Sequence, residues 1–276
     1  MTEKIRLIFY SIIIFFISFL FNSYYANQGV FPLDTFLHYD SSYKILSGEL
    51  PLRDFWIVHG LVIDYIQALF FKLFGVNWFS YIAHASTFNA VISLTTFYFF
   101  LLIKLEKNFS LLLAIFFSTL AYPVSGTPFI DQHSTFFCLL AIYLFSFSII
   151  GKKYKNFFFI PFLLGLGFLS KQVPASYIIL ILSFASLIYI FAKKNLYILK
   201  YLFFGTLFFL ILVLLFLRIQ NINIIFFINE LIFYPLSIGE NRYNNFYISF
   251  DKLFSNYKFI ILTIFLLIYS LIRNVI

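Results

Sequence analysis

The stretch IVHGLVIDYIQALFFKLFG, residues 57–75, decides how the rest of the chain passes through a membrane. It is apolar over most of its length, yet His59, Asp64, Gln67 and Lys72 are spread along it. A spanning helix needs about 20 mostly apolar residues, and ionisable residues at bilayer depth are costly. We therefore expect this stretch to lie in the membrane interface without crossing the bilayer.

The composition indicates a membrane protein. Hydrophobic residues make up 62% of the 276-residue chain and charged residues only 11%, whereas soluble domains carry about 25% charged residues. The apolar runs are long and continuous, which favours helices over a barrel. We predict an all-α fold, a polytopic membrane helix bundle of about eight spanning helices with interfacial helices in the first extracytoplasmic loop. The predicted spans are 5–21, 79–103, 109–124, 134–150, 157–170, 173–192, 198–218 and 256–273.

The positions of lysine and arginine set the orientation. With 57–75 in the interface and the N-terminus in the cytoplasm, the cytoplasmic segments hold eleven of the 19 basic residues. If 57–75 crossed the bilayer, nine basic residues from Lys104 onward would lie outside, against the positive-inside rule. We predict a single membrane domain over residues 1–276 in a bacterial-type inner membrane, with long extracytoplasmic loops at 22–78 and 219–255.

This topology gathers acidic residues on the extracytoplasmic side. His38, His59 and His133 lie on the same side, so the residues that could do chemistry are expected to gather there. The acidic residues on this side are Asp34, Asp40, Glu49, Asp54, Asp64, Asp131, Glu230, Glu240 and Asp251.

The first extracytoplasmic loop is predicted to contain two short helices. Asp34 begins a stretch suited to a helix on the membrane surface, with Asp40 facing water and Gly48 ending it. Asp54 follows Arg53 in a turn that leads to the second interfacial helix. By composition alone, Asp34 is best explained as an N-terminal helix cap.

The run from Asp34 through Gly48 and Asp54 to Gly75 resembles the first outer loop of polyprenyl-phosphate-dependent glycosyltransferases of the GT-C type. It is most similar to the branch related to dolichyl-phosphate-mannose protein mannosyltransferases and the lipid A aminoarabinose transferase. In that branch an acidic residue is followed by a glycine, then by a proline-aromatic-Arg-Asp turn and an apolar stretch that ends in Phe-Gly. Leu52 replaces the common aromatic residue here.

Two later stretches resemble the same family. GLGFLSKQVP, residues 165–174, is similar to the family's glycine-rich helix that ends in a lysine at the outer surface. FIDQH, residues 129–133, stands where a second outer loop commonly carries an acidic residue. The order of these motifs and their shared side of the membrane make the resemblance specific.

The resemblance implies transfer of a sugar from a polyprenyl-phosphate-linked donor to a lipid, glycan or protein acceptor outside the cytoplasm, with inversion at the anomeric carbon. Asp34 is the expected general base and Asp40 its alternative. Because the leaving group is a lipid phosphate, cations are needed beside it, and Lys171 and Arg242 are the expected phosphate-binding residues. The expected supporting residues are Asp54, His59, Asp131 and His133.

We predict no cofactor, with a divalent metal ion as the less favoured alternative. His59 and Asp64 are five residues apart, a spacing that does not place two side chains on one helix face. Asp131 and His133 could hold a metal only with ligands from elsewhere. The partners expected are the lipid donor, the acceptor and membrane lipids, with no nucleic acid.

Two other functional classes remain open at this stage. A transporter or flippase would carry charges at mid-depth and broken helices in repeated halves. A non-catalytic subunit of an envelope assembly would tolerate replacement of Asp34.

Overall fold

The computed structural model describes residues 2–29, 34–57, 59–244 and 249–273. These residues are mostly helical and contain no β-sheet. The chain divides into two compact units, Met1–Leu231 and Ile232–Ile276. The single membrane domain over residues 1–276 stays a prediction.

The first unit is a helical bundle whose elements follow one another with short connections. A 3₁₀ helix, Tyr154–Phe159, leads into α7. Its helices are α1 (Glu3–Ala26), α2 (Asp34–Leu46), α3 (Val62–Phe74), α4 (Trp78–Leu102), α5 (Lys107–Leu120), α6 (Ile130–Ile150), α7 (Ile160–Ser170), α8 (Gln172–Lys193), α9 (Tyr197–Ile219) and α10 (Ile224–Ile228). The second unit contains α11 (Tyr234–Asn244) and α12 (Phe250–Arg273), after a π-helical turn at Asn229–Phe233.

Within the described residues, five helices are long and apolar enough to cross a membrane: α1, α4, α6, α8 and α9. The chain is thus a multi-pass membrane protein, and the predicted class of polytopic helix bundle is confirmed. Two of the predicted spans, 109–124 and 157–170, fall on shorter apolar helices. The last one, 256–273, lies within α12 of the second unit.

The two helices between α1 and α4 are short. Both α2 and α3 have 13 residues, which gives a length of about 20 Å against a hydrocarbon thickness of about 30 Å. Gly48 and Gly75 follow α2 and α3 with φ of 96° and 82°, a left-handed conformation that glycine adopts without strain. These two helices pack against each other.

Successive long helices run in opposite directions, and polar side chains fix their ends. At the end of α1, the Asn22 side-chain amide donates to the Ser86 hydroxyl at 2.9 Å and to the Gly126 carbonyl at 3.0 Å. At its start, the Lys107 ammonium lies 2.6 Å from a Glu3 carboxylate oxygen. The bundle therefore has two distinct ends.

We call the end of the first unit that holds α2, α3 and the starts of α4, α6 and α8 the acidic end. The opposite end is the basic end, because its helix connections hold many of the lysines. These lysines are Lys104, Lys107, Lys152, Lys153, Lys155, Lys193 and Lys194.

Candidate active site

A buried carboxylate joins α2 to α3 at the acidic end. One Asp64 oxygen lies 3.0 Å from His38 Nδ1, and the other lies 2.7 Å from His59 Nε2. His38 comes from α2, Asp64 from the first turn of α3, and His59 from the loop before α3. All three side chains are buried. We call them the His-Asp-His cluster.

The two histidines keep the buried carboxyl group of Asp64 acidic. Burial acts to raise the pKa of Asp64, but the attraction of His59 and the hydrogen bonds from both imidazoles outweigh it, so the pKa lies below 3.8. Burial lowers the pKa of His38 below 6.5, although Asp64 partly opposes this shift. Among the described residues no lysine or arginine lies within ion-pair distance of Asp64. The carboxylate is thus an anion held by hydrogen bonds.

A second polar chain crosses the bundle beside this cluster. The Tyr122 hydroxyl accepts from the Phe129 amide at 2.7 Å, so its own proton is free for His133 Nδ1, also at 2.7 Å. His133 Nε2 then donates to His84 Nε2 at 2.9 Å. His84 Nδ1 in turn donates to the side-chain oxygen of Gln67 at 2.8 Å. In this assignment each N–H or O–H group donates one hydrogen bond. With His38 and His59 in the first cluster, all four histidines of the chain lie at the acidic end.

A lysine and an aspartate pair where α7 meets α8. The Lys171 ammonium lies 2.6 and 2.8 Å from the two Asp131 oxygens, and both side chains are partly exposed. The Ser134 hydroxyl donates to the Lys171 carbonyl at 2.9 Å, which ties this junction to the first turn of α6.

Gly60 holds the loop before α3 against the same junction. Its amide donates to the Ser170 carbonyl at 3.2 Å. A Cβ atom at position 60 would overlap the Leu169 carbonyl, so only glycine allows this approach. The segment that carries His59 is thereby fixed beside the segment that carries Lys171.

The first turn of α2 is attached to two neighbouring segments. The Thr35 hydroxyl lies 3.5 Å from the Thr127 hydroxyl, and the Tyr81 hydroxyl donates to the Thr35 carbonyl at 2.5 Å. Asp34, the first residue of α2, is exposed and lies close enough to His38 to attract it electrostatically. An accessible carboxylate therefore stands beside the His-Asp-His cluster.

The family model described as dolichyl-phosphate-mannose-protein mannosyltransferase matches residues 58–217, more than half of the chain. The chain belongs to this family. The resemblance identified from the sequence is thus confirmed, and the protein is a membrane glycosyltransferase of the GT-C type by family. Comparison with curated proteins and with solved structures finds no match.

The matched range contains part of the predicted mannosyltransferase-like site. Lys171, Asp131, His59 and His133 lie inside residues 58–217. The other predicted site residues lie outside the matched range, and they are Asp34, Asp40, Asp54 and Arg242. Their roles rest on the local motifs and on the structure.

The structure gives Asp40 and Asp54 cation partners of their own. Asp40 forms an ion pair with Lys44 at 2.9 Å, and its side chain is 62% exposed. Asp54 accepts from the Leu50 amide at 2.7 Å and pairs with Arg53 at 2.6 Å. The Arg53 and Leu50 hydrogen bonds lower the pKa of Asp54. Asp54 therefore pins the turn between α2 and α3.

Arg242 belongs to α11 of the second unit, and its side chain lies outside the described residues. Its predicted contact with the donor phosphate stays a prediction.

The sequence interpretation missed the partnership of His38, His59 and Asp64. The spacing argument about His59 and Asp64 assumed that both residues lie in one helix, whereas His59 precedes α3 and folds back onto its first turn. The one local signal is Gly60, which interrupts the helix pattern between them. Gln67 and His84 were also missed as members of the second polar chain.

The state of His38 predicts a pH dependence of stability. Because the pKa of His38 is lowered in the folded protein, the unfolded chain binds more protons below about pH 6.5, and stability falls as the pH falls. In metal-free protein, His38→Gln should make the melting temperature fall less between pH 7.5 and pH 5.5. Thermal unfolding in detergent measures this slope. Ser42→Ala, on the same buried face, should keep the wild-type slope, and an equal slope in His38→Gln would contradict the assignment.

Proposed function

We propose that this protein transfers a sugar from a polyprenyl-phosphate-linked donor to a hydroxyl of an extracytoplasmic acceptor, with inversion of the anomeric carbon. The reaction needs a base for the acceptor proton and cationic groups beside the departing lipid phosphate. Membership of the mannosyltransferase family supports the class of reaction. The acidic end supplies both kinds of group.

The observation that carries the proposal is the exposure of Asp34 at the first turn of α2. Asp40 is also exposed, but it is paired with Lys44. The buried His-Asp-His cluster fixes α2 against α3, so Asp34, the proposed base, lies on a helix that is held in place. A positioned carboxylate of this kind contributes roughly 10²–10⁴ in rate.

Lys171 is the proposed phosphate-binding residue of the first unit. Its ammonium group has three N–H donors, and contacts to the two Asp131 oxygens leave donor capacity for a phosphate. The pair is partly exposed, so an incoming phosphate has access to the cation. Asp131 then acts as a positioning residue that holds Lys171 at the α7–α8 junction. Arg242 is proposed as a second phosphate partner on its sequence motif alone.

Two apolar cavities offer space for a lipid chain. A cavity of about 390 Å³ is lined by Leu61, Tyr65 and Phe209 among other residues, and it lies beneath the acidic end. A second cavity, of about 510 Å³, also reaches Phe209 and extends along α7 to Ile160. Their linings are almost entirely apolar, as a prenyl chain requires.

Tyr65 supplies a hydrogen-bond donor in the cavity of about 390 Å³. Its hydroxyl is buried and makes no hydrogen bond with the described residues. Burial raises the pKa of Tyr65 to about 12, so the hydroxyl keeps its proton and can donate to a phosphate oxygen. An unsatisfied buried donor is costly, and a bound headgroup would relieve that cost.

The proposed orientation places the acidic end outside the cytoplasm of a bacterial-type inner membrane. The lysines of the basic end then face the cytoplasm, in agreement with the positive-inside rule. A lipid-linked sugar in the outer leaflet would have its phosphate at the level of the acidic end.

Asp34→Asn tests the proposed base. Purified protein incubated with radiolabelled polyprenyl-phosphate sugars and an acceptor should transfer sugar, and Asp34→Asn should lower kcat by roughly 10²–10⁴ because the amide cannot take the proton. Glu49→Gln, an exposed acidic residue of the same loop, should keep wild-type activity. If Asp40→Asn loses transfer and Asp34→Asn does not, the base is Asp40. Unchanged transfer in both variants would remove these carboxylates from the mechanism.

Lys171→Met tests the phosphate contact. Loss of the cation should weaken donor binding and leaving-group stabilisation, so kcat/KM for the donor should fall by roughly 10–100-fold, the effect of removing a charge-assisted hydrogen bond of about 1.5–3 kcal/mol. Lys72→Met, which removes a lysine from α3, is the matched control. Donor titrations give both constants, and an unchanged kcat/KM in Lys171→Met would exclude the contact.

A further inference from the structure

We propose that His38, His59 and Asp64 bind a divalent transition-metal ion, and that zinc is the ion their chemistry fits best. The site is separate from the proposed base Asp34, and the inference does not depend on the proposed sugar transfer. It departs from the sequence-based expectation of no cofactor.

The geometry is close to that of a metal site. One ligand-type atom from each of the three residues lies within 4.8 Å of the others. Two ligands of a tetrahedral zinc ion, each about 2.0–2.1 Å from the metal, are about 3.3 Å apart. The present separations of 3.0 and 2.7 Å join the two imidazole nitrogens to different oxygens of Asp64 and are slightly shorter than this value, whereas the three ligand atoms are spread over up to 4.8 Å. Rotations of the three side chains would have to bring both imidazole nitrogens to about 3.3 Å from one Asp64 oxygen and from each other.

Metal binding would replace the two hydrogen bonds from the imidazoles to Asp64 with bonds to the ion, and both imidazoles would keep one ring proton each. In the metal-free state, His38 Nδ1 and His59 Nε2 each donate a hydrogen bond to Asp64. With the metal bound, these nitrogens present lone pairs to it and the ring protons move to His38 Nε2 and His59 Nδ1.

The charge of the cluster favours a cation. Asp64 is fully buried, and its negative charge has no lysine or arginine partner in the part of the chain that the structure describes. A divalent ion would place a positive charge directly against this buried carboxylate, and the two imidazoles would bind it through nitrogen lone pairs.

The ligand types select the class of metal. Magnesium and calcium require about six or more oxygen ligands, whereas this cluster offers one carboxylate and two imidazoles. Imidazole with a single carboxylate suits zinc and neighbouring transition metals. Three protein ligands leave a fourth position for water. The ion would clamp α2 to α3 one helical turn from Asp34, so its effect on that residue is positional and electrostatic.

Metal content tests the proposal without an activity assay. The full chain is purified in detergent through a tag that contains no histidine, stripped with a chelator, incubated with zinc sulfate and desalted. Elemental analysis by mass spectrometry should find about one zinc ion per chain in the wild type. The absorption spectrum of protein loaded with cobalt instead of zinc should show the bands of a tetrahedral site. The melting temperature should rise on adding zinc. A wild-type protein that retains no ion overturns the proposal.

Variants locate the ion. His59→Gln and Asp64→Asn should each lower zinc affinity by at least about 10-fold, the size of effect seen even for residues that only support a ligand. His84→Gln, which removes another buried histidine of the acidic end, should retain the ion. Zinc that is kept by both cluster variants, or lost equally in His84→Gln, would place the ion elsewhere and overturn the assignment. If Asp64→Asn does not fold, His59→Gln in the loop before α3 decides the same point. Sugar transfer measured in parallel separates this outcome from that of the proposed enzyme activity.

Discussion

The burial of Asp64 is the constraint on which the acidic end depends. A carboxylate without access to water must be held by hydrogen bonds or by a cation, and only a close approach of α2 to α3 brings His38 and His59 to its two oxygens. That approach fixes the first turn of α2, where Asp34 stands, and the loop whose Gly60 rests on the α7–α8 junction. Lys171 pairs with Asp131 at that junction. A single buried charge thus organises segments that are far apart in the chain.

The acidic end also bears on the choice between functional classes. A transporter needs ionisable groups on a path through the bilayer, whereas the described aspartates and histidines of the first unit gather at one end and the lysines of its helix connections at the other. His84 in the second turn of α4 and His133 in the first turn of α6 lie at this end, and they hydrogen-bond each other at 2.9 Å. This one-sided arrangement suits a reaction at the membrane surface, as family membership also indicates.

Local patterns in the sequence predicted the helical class, the helix that begins at Asp34 and the short helix within 57–75, because length, polarity and glycine positions act locally. The interfacial position of 57–75 stays a prediction. The family was identified from short motifs in order. The helix 109–124 was predicted four residues too long, since α5 ends at Leu120. The His-Asp-His cluster could not be predicted, because His38 and Asp64 are brought together only by the packing of two helices. Lys171 and Asp131 were assigned separate roles for the same reason.

The most direct test of the account is the side of the membrane on which the acidic end lies. Single cysteines in place of Asp40, Asp131, Lys104 and Lys152 would be labelled in intact cells with a maleimide that cannot cross the membrane, with the buried native Cys138 as background. The account predicts that positions 40 and 131 react from outside, and that positions 104 and 152 react only after the membrane is opened. Labelling of positions 40 and 131 from opposite sides would contradict the existence of a common site.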